Sequence, residues 1–200
     1  MSDKSKRKSF YKVKVRELNV LELLAKEGKL STYQIEKKTQ SSRYLIKKLE
    51  QMKLIKKFGE YKNEKGVIAK TYGLTLYGLA EVMTLRNLWN YTDKIVENWR
   101  ELDPLVFGNN WDKLKNTFQR ENVVEALKDT FSMLLNVTYL WHIASNSRVK
   151  DFLKKTIPTF FPFEEGDTKD YEKLIEFTFS DSFFHLALVN ALMKKALKRY

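Results

Sequence analysis

The hydrophobic period of the chain changes once within its first 80 residues, and that change sets the order of elements there. Up to Leu54 apolar residues recur at helical spacing. Beyond it come two β-leaning runs, IKKFGEY and VIAKTYGL, on either side of the polar turn KNEKG. A first helix is predicted over residues 15–27, with Leu18, Leu21, Leu24 and Ala25 on one face and Gly28 as its stop. Ser31 opens a second helix, STYQIEKKT; Ser31 and Gln34 have the spacing of a capping box, and Tyr33 and Ile35 are its expected core contacts. After a break at 39–41, the stretch SSRYLIKKLEQMKLI (41–55) reads as a third, amphipathic helix. Its apolar stripe is Leu45, Ile46, Leu49 and Met52. At about 100° per residue, Arg43, Lys47 and Gln51 point the opposite way, with Tyr44 beside them. The two later runs form a hairpin, with Ile55, Phe58, Ile68, Tyr72 and Leu74 expected to face the helices. Thr75 is the expected N-cap of a long helix over 76–102, ending before Pro104.

Charge separates the chain into two parts. The formal net charge is +12. Residues 1–80 hold 20 Lys and Arg against 8 Asp and Glu, whereas residues 81–200 hold 17 of each, so the whole excess lies in the first part. Aromatic residues segregate in the opposite sense, with all four Trp and 11 of the 13 Phe beyond residue 80. A basic domain joined to a neutral one implies a polyanionic partner for the first and a different task for the second.

The order of three helices and a hairpin is that of a winged helix-turn-helix. The chain resembles that family, in particular bacterial and archaeal regulators of the MarR, PadR and ArsR kind. VLELLAKEGKLSTYQIEKKT is similar to their first two helices. LIKKLEQMKLIKKF is similar to a recognition helix running into the first wing strand. KTYGLTLYGLA is similar to the second wing strand, with Tyr72, Leu74, Thr75 and Gly78 at its usual ending. One departure is Lys53, where the family often has glycine. The resemblance covers about residues 13–83. It implies a sequence-specific double-stranded DNA-binding transcriptional regulator, with the helix over about 41–53 in the major groove. Arg43 is the candidate for a guanine, because its planar fork can bond O6 and N7 together. Ser41, Ser42, Tyr44, Lys47, Lys48 and Gln51 are candidates for bases or phosphates. Lys62, Lys65 and Lys70 of the wing, with a flexible basic arm over 1–12, are candidates for the backbone. An architectural, non-specific DNA-organising protein and a winged-helix adaptor that contacts protein are the alternative readings.

The resulting expectation is a mostly α chain: an N-terminal winged helix-turn-helix of three helices plus a β-hairpin wing over 13–83, then an all-α domain over 84–200. In the second domain a short helix is expected around Trp111, Leu114 and Phe118, and an apolar one over 123–144. Another short one follows around Phe152, Leu153 and Ile157, then the loop TIPTFFPFEEGDTKD. A penultimate helix holds Leu174, Ile175 and Phe179, and the last covers 181–199. Its aromatic surface admits three uses: a plain core, a homodimer interface, or a pocket for an apolar small-molecule effector. Trp89, Ile95 and Trp99 on the long helix and Leu188, Leu192 and Met193 on the last are the dimer candidates.

Catalytic chemistry finds little to build on. Cysteine is absent, which excludes disulfides, thiolate zinc sites and cysteine nucleophiles. There is no phosphate-binding glycine loop and no histidine-rich metal motif, and only His142 and His185 are available. Asp181 and His185 stand four apart, read as a capping aspartate and a packed histidine rather than as ligands. No enzymatic activity, cofactor or metal is expected. MSDKSKRKSF lacks the apolar core of a secretory signal, and FSMLLNVTYLWHIA is too short to span a bilayer. The expected location is therefore cytoplasmic, away from membranes.

Overall fold

A mostly helical chain with one small antiparallel sheet is what the computed structural model describes, over residues 13–62, 66, 68–145 and 168–197. The expected arm over 1–12, Lys65 at the hairpin tip, and the expected helix and loop from Phe152 through Phe163 lie outside the described residues. By compactness the chain divides into Met1–Val124 and Glu125–Tyr200.

The first unit is organised around α1 (Val15–Glu27), whose Val20, Leu21, Leu24 and Ala25 are fully buried. β1 (Leu30–Ser31) leads into α2 (Thr32–Thr39), and the capping box forms: the Gln34 amide donates to Ser31 Oγ at 3.2 Å and the Ser31 amide to Gln34 Oε1 at 2.8 Å. α3 (Arg43–Gln51) follows and buries Ile46 and Leu49. Strands β2 (Ile55–Lys62) and β3 (Ile68–Leu74) form the hairpin, and β1 adds to its other edge, giving the order β1-β3-β2. Ile55 pairs with Leu74 and Lys62 with Ile68, and the register shifts between Lys57 and Gly59, around Phe58. Only the base of the hairpin is covered: Tyr72, Gly73 and Leu74 are buried, while Ile68 is exposed. Ile68 therefore does not face the helices, because β3 runs past them.

α4 (Leu76–Arg86) starts on the expected cap: Thr75 Oγ1 accepts from the Gly78 amide at 3.0 Å and donates to the Lys53 carbonyl at 2.6 Å. Gly78 has no alternative here, since a Cβ would meet the Leu54 carbonyl oxygen at 1.9 Å. α4 packs on α1.

The single long helix expected over 76–102 is instead broken. Asn87 takes the left-handed conformation (φ 53°, ψ 49°), a 3-10 turn covers Leu88–Tyr91, and α5 (Thr92–Asn98) follows. Asparagine tolerates that conformation, and the reversal brings α5 against α1. There the Asn98 side-chain amide donates to the Lys26 carbonyl at 2.7 Å and Trp99 Nε1 to the Ala25 carbonyl at 3.3 Å. Both serve carbonyls in the last turn of α1, where helices lack internal donors. Trp99 is fully buried, its ring 5.9 Å from that of Phe58, in space left by Gly73: a Cβ there would meet the indole at 2.6 Å. The compact unit thus extends well past the expected boundary at 83. Asp93 of α5 then accepts from Trp111 Nε1 (2.9 Å) and Lys115 of α6 (Trp111–Phe118), and from Arg120 at the start of α7 (Arg120–Ser145). Burial pushes the Asp93 carboxyl up, but these hydrogen bonds outweigh it and hold it below the usual carboxylate range.

In the second unit the rest of α7, α8 (Thr168–Thr178) and α9 (Asp181–Leu197) bury Leu134, Leu174, Ile175, Phe184, Leu188 and Leu192. The Phe131 and Phe184 rings lie 5.9 Å apart, and Lys195 pairs with Asp129 at 2.9 Å.

Candidate nucleic-acid interface

The α2–α3 corner is built by local hydrogen bonds. α2 ends at Gln40 in the left-handed conformation (φ 53°), and Thr39 Oγ1 donates to the Ile35 carbonyl and pairs with Ser41 Oγ, both at 2.7 Å. α3 can then start at a new angle, with Ser42 at its N-cap position but its hydroxyl not used as a cap. Its far end turns at Lys53, which adopts φ 57°. Glycine would sit there without strain; lysine does not.

These turns fix which side chains are free. Ile46, Leu49, Met52 and Leu54 face the core, and Arg43, Tyr44, Lys47 and Gln51 face solvent, with Tyr44 75% exposed. Ser42 is exposed beside them. Among the described residues Lys47 has no carboxylate partner, whereas Arg43 Nε lies 3.4 Å from Glu36 Oε1 of α2.

Two candidates are reassigned. Ser41 is buried and engaged by Thr39, so it shapes the corner and is not a free contact. Lys48 donates to Glu17 Oε1 at 2.6 Å, and Glu17, itself buried, accepts the Lys14 amide on its other oxygen. A buried carboxylate left without its partner is costly, so Lys48 is held to α1 by the core's own requirement.

On the hairpin, Lys70 is exposed opposite Glu60 of β2. The hydrogen bond from Lys57 holds the Glu60 carboxyl below its ordinary value, with Lys70 adding to the effect, so part of the hairpin's positive charge is balanced internally. Lys62 ends β2; its side chain and all of Lys65 lie outside the described residues.

Sequence reasoning missed part of this surface. Tyr33, expected in the core, is exposed, and so is Lys37 one turn on, with no carboxylate partner among the described residues. The signal was available: Tyr33 and Ile35 are two residues apart, about 200° around a helix, and cannot share its buried face. Lys38, next along, is tied to Glu27.

The dimer candidates are corrected by burial. Trp89, Ile95, Trp99, Leu188 and Leu192 are buried within the single chain, the first three because the segment after α4 folds back on its own unit. Met193 alone of the six is exposed, on a stripe of α9 with Leu186, Val189 and Leu197.

Among the described residues no group of three or more His, Asp and Glu could hold a metal, and no helix is long and apolar enough to cross a membrane. Comparison of the chain with protein families, with curated proteins and with solved structures returns no match.

Proposed function

We propose that the chain is a sequence-specific double-stranded DNA-binding protein of the winged helix-turn-helix kind, acting as a transcriptional regulator. α3 enters the major groove, and the β2–β3 hairpin lies along the backbone beside it. The observation that carries this reading is the free face of α3. Its Arg43, Tyr44, Lys47 and Gln51 stand exposed on one side of a helix whose other side is core, in the part of the chain that holds the entire +12 excess. The element order α1-β1-α2-α3-β2-β3-α4 supports the same reading. A planar arginine fork at the start of α3 favours base readout over purely electrostatic packing on DNA. Fluorescence anisotropy of a labelled random duplex, titrated at rising salt, tests it. The expected result is a steep linear fall of log affinity with log salt. Binding that is absent at low salt, or indifferent to salt, contradicts it.

A winged helix reads a short site, so regulators of this design gain reach by pairing half-sites. We assign the second copy to the exposed α9 stripe of Leu186, Val189, Met193 and Leu197. Light scattering on the wild type should give a dimer, and Val189→Glu a monomer.

A further inference from the structure

Glu36 meets the first residue of α3: its Oε1 lies 3.4 Å from Arg43 Nε. This pair contributes little to folding, because the Arg43 side chain is 81% exposed and water screens such pairs. Its consequence is directional. The contact is made through Nε, at the base of the guanidinium, and Arg43 has no other acidic partner among the described residues. The two terminal nitrogens form the fork that matches guanine O6 and N7. An untethered arginine at a helix start can settle on any nearby phosphate. One held by a half-buried carboxylate on the preceding helix has fewer rotamers to lose when it grips a base, and that carboxylate repels the phosphates.

We propose that Glu36 is a positioning residue for base readout, holding the Arg43 fork toward one base edge and away from the backbone. This rests on the DNA-binding reading of α3. It makes a signature that a merely structural residue lacks. Removing the charge of Glu36 lowers selectivity at one base while general DNA affinity holds or rises.

The test uses the full chain as wild type, Glu36→Gln, Arg43→Ala and the double variant. Each is incubated with a randomised duplex pool and the bound fraction is sequenced. The wild type should enrich a guanine that Arg43→Ala loses. Glu36→Gln should weaken the preference at that same position about two- to five-fold. It should retain no less of the total pool, and the double variant should be no worse than Arg43→Ala alone. An unchanged preference in Glu36→Gln overturns the proposal. So does a loss at a different position, which would make Glu36 itself a base contact, or an additive loss in the double variant. A uniform loss at every position with a lower melting temperature makes Glu36 structural and also overturns it. If the wild type binds no duplex, or enriches no sequence, the DNA-reading assignment fails and this one falls with it. Wild-type enrichment with an unaffected Glu36→Gln removes the positioning role alone.

Discussion

α3 and the segment from α4 to Trp99 are both predicted from helical spacing, yet they meet opposite fates: α3 has one apolar stripe, whereas α4 buries every residue from Leu76 to Met83. α3 keeps one face in solvent, because Arg43, Lys47 and Gln51 have no buried partners to satisfy them. The later segment, expected as one long helix over 76–102 carrying the dimer candidates Trp89, Ile95 and Trp99, bends at Asn87 and closes back on α1. The difference is one of cost. Solvating a lysine or arginine face costs nothing, whereas leaving Trp89, Ile95 and Trp99 in water forfeits the burial of large apolar side chains. Periodicity shows which face is buried; it does not show against what.

The largest effect that sharpens this contrast is at Trp99. Trp99→Ala should destabilise the chain by about 3–5 kcal/mol in chemical denaturation, since it empties a filled site beneath β3. A loss under about 1 kcal/mol would mean that the closure of this segment on α1 contributes little to the fold.

Next in size is Glu81 on α4. Burial pushes its carboxyl up to about 7, against the opposing hydrogen bond from Tyr77. The folded state thus holds a proton that the unfolded chain releases near 4.5. The stabilisation is full below the unfolded value, declines as the unfolded chain ionises, and is gone once pH passes about 7. The fall is about 3 kcal/mol, read from denaturation midpoints across pH. Glu81→Gln should flatten this dependence; an equal slope in that variant would place the titration elsewhere.

On the α3 side the expected effects are on binding. Arg43→Ala should cost about 1–3 kcal/mol on an enriched duplex and much less on random DNA, with stability changed by no more than about 0.5 kcal/mol. Equal weakening of both duplexes would move Arg43 from base to phosphate.

The smallest effect is at the end of α3. Lys53→Gly should raise stability by about 1 kcal/mol, because glycine adopts the positive φ without a Cβ penalty. A loss of stability there would mean that the lysine side chain gives more than its backbone costs.

The elements around α3 were legible in the sequence because each is specified locally. Gly28, the Ser31–Gln34 capping box, Thr75 and the change of period at Leu54 each set a boundary from neighbouring residues. Some features that escaped notice depend on residues distant in sequence. Glu17 draws Lys48 away from the outward face across 31 positions, and Trp99 reaches Ala25 across 74. The exposure of Ile68 follows from hairpin length relative to the helices, and the break at Asn87 from one residue's tolerance of positive φ. Of the candidate contacts, Ser42, Arg43, Tyr44, Lys47, Gln51 and Lys70 remain exposed, as simple helical and strand geometry implies. Ser41 was lost to a local bond with Thr39, two residues away, and Lys48 to Glu17, a contact that no spacing rule reveals.

Amide chemical-shift mapping of the isotope-labelled full chain with an added duplex tests the central claim most directly, since it reads both regions in one spectrum. The account predicts shifts concentrated in α2, α3 and the β2–β3 hairpin, with residues 41–51 moving most and the segment from α4 to Trp99 little affected. Shifts centred on that segment or on the α9 stripe, or no shifts at low salt with duplex in excess, would contradict it.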